Sequence, residues 1–133
     1  MPTFMSLSDQ IRHYFDDSPI NILAEQVHLY NARWWQDPKT GERIERNKGE
    51  MIALMHSELS EMLEGARKDT MDDHLPHRKS EEVELADLFI RGFDYAAGHD
   101  LDLAGAIYEK LLYNATRQDH THAARLAPGG KKY

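Results

Sequence analysis

The chain has 133 residues, no cysteine and a formal net charge of -7. That length can hold one core of ordinary size; the missing cysteine excludes disulfides and thiolate zinc or iron–sulfur sites, and the acidic balance argues against nucleic acid, which needs a basic face. No apolar run approaches the roughly 20 residues of a membrane span, and Met1-Pro2-Thr3-Phe4 lacks the basic and apolar blocks of a secretion signal, so a soluble cytoplasmic protein with no membrane partner is expected.

A short helix within Met5–Phe15 has few apolar positions to support it, namely Leu7, Ile11, Tyr14 and Phe15. Ser18-Pro19 predicts an N-cap and a proline at the first helical position, opening a helix to about Trp35 with Ile22, Leu23, Val27, Tyr30 and Trp34 on its buried side. Asp37-Pro38-Lys39-Thr40-Gly41 reads as a turn, and the loop continues through Arg46. Asn47-Lys48-Gly49-Glu50 has the form of an N-cap with a capping-box glutamate and starts a long helix ending near Gly65 to Lys68. Asp69–Lys79 is a polar loop. Ser80 is placed to cap the next helix and Gly98 to end it; Asp102 is placed to cap the last one, packed through Leu103, Ile107, Leu111 and Leu112. No alternating stretch requires a strand. The expected architecture is all-α and four-helix-bundle-like: an N-terminal segment over 1–17, a helical domain over 18–117 and a polar C-terminal tail over 118–133.

Two acidic pairs stand out, Glu58-Leu59-Ser60-Glu61 and Glu84-Leu85-Ala86-Asp87. Side chains three apart on a helix share a face, about 5–6 Å apart at Cβ, so each pair is a two-carboxylate claw. Two claws on facing helices would gather four carboxylates, which need a neutralising cation because like charges held close raise one another's pKa. At about 100° per residue, Glu84, Asp87, Arg91 and Asp94 form one narrow polar strip on a helix otherwise lined by Val83, Leu85, Ala86, Leu88, Phe89, Ile90 and Phe93. Such a helix is expected to be buried, and its charged strip to face a partner, a metal or a wet cleft. A claw taken alone is more often a solvated helix face; the second claw on an apolar helix lowers that odds. Carboxylates without thiolate or imidazole in the claws suit Mg²⁺, with Mn²⁺ as a substitute. On the last helix Lys110, Asn114 and Arg117 line one face, either solvated or contacting phosphate and base.

These residues carry a family resemblance. Glu58-x-x-Glu61, 22 intervening residues and Glu84-x-x-Asp87 resemble the paired acidic signature of the all-α MazG-like nucleoside triphosphate pyrophosphatases. Lys110-x-x-x-Asn114-x-x-Arg117 is similar to that family's downstream lysine–asparagine motif, and Arg46-Asn47-x-Gly49-Glu50 and Gly130-Lys131-Lys132-Tyr133 look like a short single-domain branch. The resemblance implies Mg²⁺-dependent hydrolysis of an NTP or dNTP to its monophosphate and pyrophosphate as nucleotide-pool housecleaning. It further implies a homodimer or homotetramer, with Glu58, Glu61, Glu84 and Asp87 as catalytic metal ligands and Lys110, Asn114 and Arg117 as substrate contacts. A non-catalytic nucleotide-binding regulator on the same fold is the alternative. Glu25-Gln26-Val27-His28 is half of a di-iron pattern, but the second copy that such bundles need is missing. His74, His77, His120 and His122 lie in polar loop or tail sequence and read as solvated. Trp34 and Trp35 are adjacent and cannot both point inward.

Overall fold

The structure, a computed structural model, describes Ser6, Leu7, Asp9 and residues 19–117 and 121–131. Most of the expected Met5–Phe15 helix, and the expected Ser18 cap, lie outside the described residues. Regular structure within them is helical: α1 (Pro19–Tyr30), a 3-10 turn (Ala32–Trp35), α2 (Lys48–Lys68), α3 (Ser80–Gly98), α4 (Leu103–Thr116) and a short α5 (His122–Leu126). Two isolated β-bridges, Gln36 with Arg43 and Met71 with Lys79, are the only extended pairings among the described residues. No described helix is long and apolar enough to cross a membrane. The chain divides into two compact units, one spanning Asn21–Leu101 and the other comprising Met1–Ile20 and Asp102–Tyr133.

In the first unit α2 begins where Asn47 predicts. The Asn47 side chain accepts from the Glu50 backbone N–H at 2.9 Å, satisfying one of the donors that a helix start leaves free. The helix ends at Lys68, with Asp69 in the left-handed conformation at φ 49°. The loop that follows is tied by Ser80 N–H to Thr70 O and by Asp72 N–H to Arg78 O, each at 2.9 Å, and it returns the chain so that α3 packs antiparallel on α2. The helices approach closely at Gly65, where an added Cβ would stand 2.9 Å from that of Ser80. Ser80 is therefore a packing residue. Lys79 occupies the N-cap position, without a side-chain cap bond.

Two other expectations shift. α1 stops at Tyr30 instead of Trp35, because Asn31 N–H bonds to both Val27 O and His28 O and the chain tightens into the 3-10 turn. That turn separates the tryptophans: Trp35 is buried at 3 % exposure and Trp34 is exposed at 57 %. α3 does end at Gly98, but the left-handed residue is Asp100, at φ 54°. Gly98 is glycine for another reason, since a Cβ there would collide with the Trp35 indole.

α3 is not buried all round. Leu85, Phe89 and Ile90 are exposed, as are Ile52, Leu59 and Leu63 on α2, and the deeply buried apolar side chains of this unit are few: Ala24, Trp35, Met51 and Ala96. A single copy of α1 and α2 leaves part of α3's apolar circumference uncovered. In the second unit Asp102 caps α4 by accepting from Gly105 N–H at 2.9 Å, and Ala104 is buried. Within the polar segment after Arg117, Thr121 caps α5.

Candidate functional site

Antiparallel packing of α2 on α3 brings three of the four expected carboxylates together, Glu58 with Glu84 and Asp87, and leaves Glu61 outside the converging group. Glu58, midway along α2, is buried at 5 % exposure, and one carboxylate oxygen from each of Glu58, Glu84 and Asp87 lies within 4.8 Å of the others. Glu61 stands one turn beyond Glu58, more exposed, within hydrogen-bonding reach of the Glu58 carboxyl. Such a bond between two carboxyls needs a proton on one of them, and the repulsion is evident in their acidities. Glu61 is raised by its hydrogen bond with Glu58, then by the Glu58 charge. Glu84 is pushed up to about 7 by burial first, then by its hydrogen bond with Glu58 and the charges of Glu61, Glu58 and Asp87. Asp87 is raised by burial and the Glu58 charge, against the opposing pull of Arg91. The four acids thus form one electrostatic unit centred on Glu58, which only a cation or protons can relieve.

One cation is already there. Arg91 follows Asp87 by one helical turn, and its Nε donates to Glu58 Oε1 at 2.5 Å. The polar strip of α3 placed Arg91 among the acids, but its partner, 33 residues away, was not legible. The strip ends at Asp94, which is 3 % exposed and anchors a second network. Trp35 Nε1 donates to both Asp94 oxygens, at 3.0 and 3.2 Å, His28 Nδ1 lies 2.8 Å from Oδ1, and Arg46 Nη1 is 3.7 Å from Oδ2. His28 is thereby engaged in a part-buried hydrogen bond with Asp94.

The loop between the 3-10 turn and α2 delivers the arginines. Asp37 Oδ1 accepts from Lys39 and Thr40 N–H at 2.8 and 3.0 Å, bonds that hold its pKa below the usual carboxylate value. Gly41 supplies the positive φ of 72° that the turn requires. Across it, Arg43 Nη2 donates to Gly98 O at 2.6 Å, and the guanidinium carbons of Arg43 and Arg46 stand 5.0 and 5.5 Å from the Trp35 ring centre, a stacking distance for cation–π contact.

Two clefts adjoin the acids. One, of about 420 Å³, is lined by Asn31, Trp34, Arg46, Asp87, Arg91 and Asp94, with Met51, Leu54 and Ile90 as its apolar part. The other, of about 500 Å³, opens on Glu61 and Glu84 and is lined also by Lys68, Asp72, Asp73 and His74. Asp72 is buried because its Oδ2 caps the turn, accepting from His74 and Leu75 N–H at 2.9 and 2.7 Å. His74 and His77 are exposed.

Lys110, Asn114 and Arg117 belong to the other compact unit. There Lys110 Nζ and Arg117 Cζ stand 4.8 and 5.4 Å from the Tyr113 ring centre, so Tyr113 gathers the two cations. Asn114 Oδ1 is buried without a hydrogen-bond partner. Neither a family model, nor a curated protein, nor a solved structure matches the chain.

The donor set fits a hard divalent cation. Glu58, Glu84 and Asp87 offer converging carboxylate oxygens, and Glu61 is within one turn; no sulfur or imidazole competes in the cluster. Burial of Glu58 distinguishes the group from an ordinary solvated acidic face.

Proposed function

We propose that the protein is a Mg²⁺-dependent nucleoside triphosphate pyrophosphohydrolase. The observation that carries this reading is the convergence of Glu58, Glu84 and Asp87 within 4.8 Å at the edge of a cleft of about 420 Å³ holding Trp34, Arg46 and Arg91. An acidic centre that needs a cation, beside a cavity with guanidinium groups and an exposed indole, suits a ligand that is polyanionic at one end and flat at the other.

The chemistry a divalent ion supplies when bound there is neutralisation of the phosphate chain and acidification of water. Glu58, Glu84 and Asp87 hold it. Glu61, less enclosed and with its pKa raised by the hydrogen bond with Glu58, is the member best suited to accept a proton from an attacking water, the step in which the α–β anhydride bond breaks and pyrophosphate leaves. Arg46 and Arg91 contact phosphate, and Trp34 with Asn31 faces the base or sugar. The family resemblance separately implies substrate-binding roles for Lys110, Asn114 and Arg117. Together these features support membership of the MazG-like group and a homodimer or homotetramer, the latter also favoured by the uncovered apolar residues of α2 and α3.

Incubating the protein with a panel of canonical and modified NTPs and dNTPs and Mg²⁺, and resolving products by ion-exchange chromatography, tests the reading. Monophosphate and pyrophosphate in equal amounts are expected. Tight nucleotide binding with no product across the panel would favour a nucleotide-binding regulator instead.

A further inference from the structure

We propose that Arg91 is a resident counter-ion of the acidic centre, displaced from Glu58 when a divalent cation enters and then turned to the phosphate chain of the nucleotide. The inference rests on the metal-centre reading above and adds an exchange of partners to it.

The geometry begins with the helix. Arg91 lies four residues after Asp87 and seven after Glu84, so the three share one face of α3. Its Nε bond is to Glu58, the acid common to every raised acidity in the cluster. The two partners differ in enclosure: the Glu58 side chain is 6 % exposed, and that of Arg91 is 39 %. Glu58 is therefore fixed, and Arg91 is the member free to move.

Where it would move is also set. Arg91 lines the same cleft as Arg46 and Trp34. A guanidinium carries five N–H donors in a planar fork, and the Glu58 bond uses the one on Nε. A divalent ion drawn to the converging oxygens of Glu58, Glu84 and Asp87 shares Glu58 with this guanidinium. Two cations a few ångströms apart repel, and more strongly where water is partly excluded. The arrangement with least repulsion gives Glu58 to the metal and Arg91 to an anion. Without an anion in the cleft, Arg91 opposes metal binding; with a triphosphate there, it assists. Metal and nucleotide are then coupled through one side chain.

The probe is Mn²⁺, titrated by electron paramagnetic resonance into full-length protein without nucleotide. Arg91→Gln should bind Mn²⁺ about tenfold more tightly than wild type, the order expected from removing one nearby positive charge. It should bind an α,β-methylene triphosphate with Mn²⁺ about tenfold more weakly. Arg91→Lys keeps the charge and should stay within about twofold of wild type for Mn²⁺ alone, a comparison that stands even if the glutamine variant folds poorly. In wild type, the Arg91 Nε–H resonance should lose its protection from solvent exchange as Mg²⁺ saturates. Unchanged or weaker Mn²⁺ binding in Arg91→Gln, tenfold tightening in Arg91→Lys, or an Nε–H signal indifferent to Mg²⁺ would each overturn the exchange. If wild type binds Mn²⁺ and Asp87→Asn does not, that failure leaves the metal centre standing; if no variant binds Mn²⁺, both readings fall.

Discussion

The indole of Trp35 donates to both carboxylate oxygens of Asp94, at 3.0 and 3.2 Å, across 59 residues of sequence. Both residues are 3 % exposed, so the bond joins the chain ahead of α2 to the C-terminal part of α3 away from water. Asp94 is a buried charge with three partners, and removing it leaves a buried indole N–H and His28 without theirs. Asp94→Ala should destabilise the protein by about 3 kcal/mol or more. Trp35→Tyr should also destabilise, through lost packing on Gly98. Urea unfolding followed by circular dichroism measures both. An Asp94→Ala change within 1 kcal/mol of wild type, on the scale of about 1–3 kcal/mol for one unsatisfied buried group, would remove the network's structural role.

The acidic centre should give metal-free protein an unusual pH profile. Glu84 titrates at about 7 when folded, against 4.5 ordinarily. The folded state therefore binds that proton more tightly than the unfolded chain. Its contribution to stability is fully present below about 4.5 and is lost as pH rises through about 7. Glu61 and Asp87, also raised, act in the same direction. Asp37 and Asp69 are lowered from 3.8, and their contribution is lost only at more acidic pH, outside this window. The melting temperature in EDTA should thus rise on going from pH 8 to pH 5.5, and Glu84→Gln should flatten the slope. A wild-type profile that is flat or inverted over that range would contradict the proximity of these carboxylates.

Divalent ions should replace protons in that role. At pH 8, millimolar Mg²⁺ or Mn²⁺ should raise the melting temperature by several degrees, following the linkage between binding and stability; at pH 5.5 protons compete for the same oxygens and the gain should shrink. Glu61→Gln or Asp87→Asn should abolish pyrophosphate release while leaving the helical circular dichroism intact. Wild-type turnover in Asp87→Asn would withdraw Asp87 from the metal set, and in Glu61→Gln it would withdraw Glu61 as the proton acceptor.

What could be read from sequence follows the range of the interactions involved. Asn47 capping α2 and Asp102 capping α4 depend on contacts three residues long, and both are found where composition places them. The carboxylate pairs are legible because helical periodicity fixes their faces; that Glu58 meets Glu84 and Asp87 needs only the two helices to be antiparallel neighbours, whereas Glu61 stays outside that convergence. Arg91 and Asp94 were visible as members of a polar strip, but their partners lie 33 to 66 residues away, and no local pattern encodes a separation of that size. The end of α1 was misplaced for a related reason. Val27, Tyr30 and Trp34 keep helical spacing past Asn31, whereas the chain is turned there by Trp35 finding Asp94. Likewise Ser80 and Gly98 have the composition of helix-end signals and serve as close-packing positions, against Gly65 and Trp35.

The apolar residues left uncovered make the last prediction. Ile52, Leu59 and Leu63 follow i, i+7, i+11 spacing and share one stripe of α2, while Leu85 and Phe89 share one on α3. Leu63 and Phe89 are 60 % and 52 % exposed, on helices whose opposite sides carry the acidic centre. Monomeric proteins seldom expose such apolar stripes, and a second copy of the chain covers one most simply about a two-fold axis. Sedimentation equilibrium should therefore give a mass of at least two chains of 15.4 kDa. Leu63→Lys with Phe89→Lys should shift it to the monomer, place like charges on both sides of the interface, and lower the melting temperature. Because neither residue belongs to the acidic cluster, Mn²⁺ binding per chain should survive if the metal site is complete within one copy. A wild-type monomer at tens of micromolar would assign these stripes to something other than self-association.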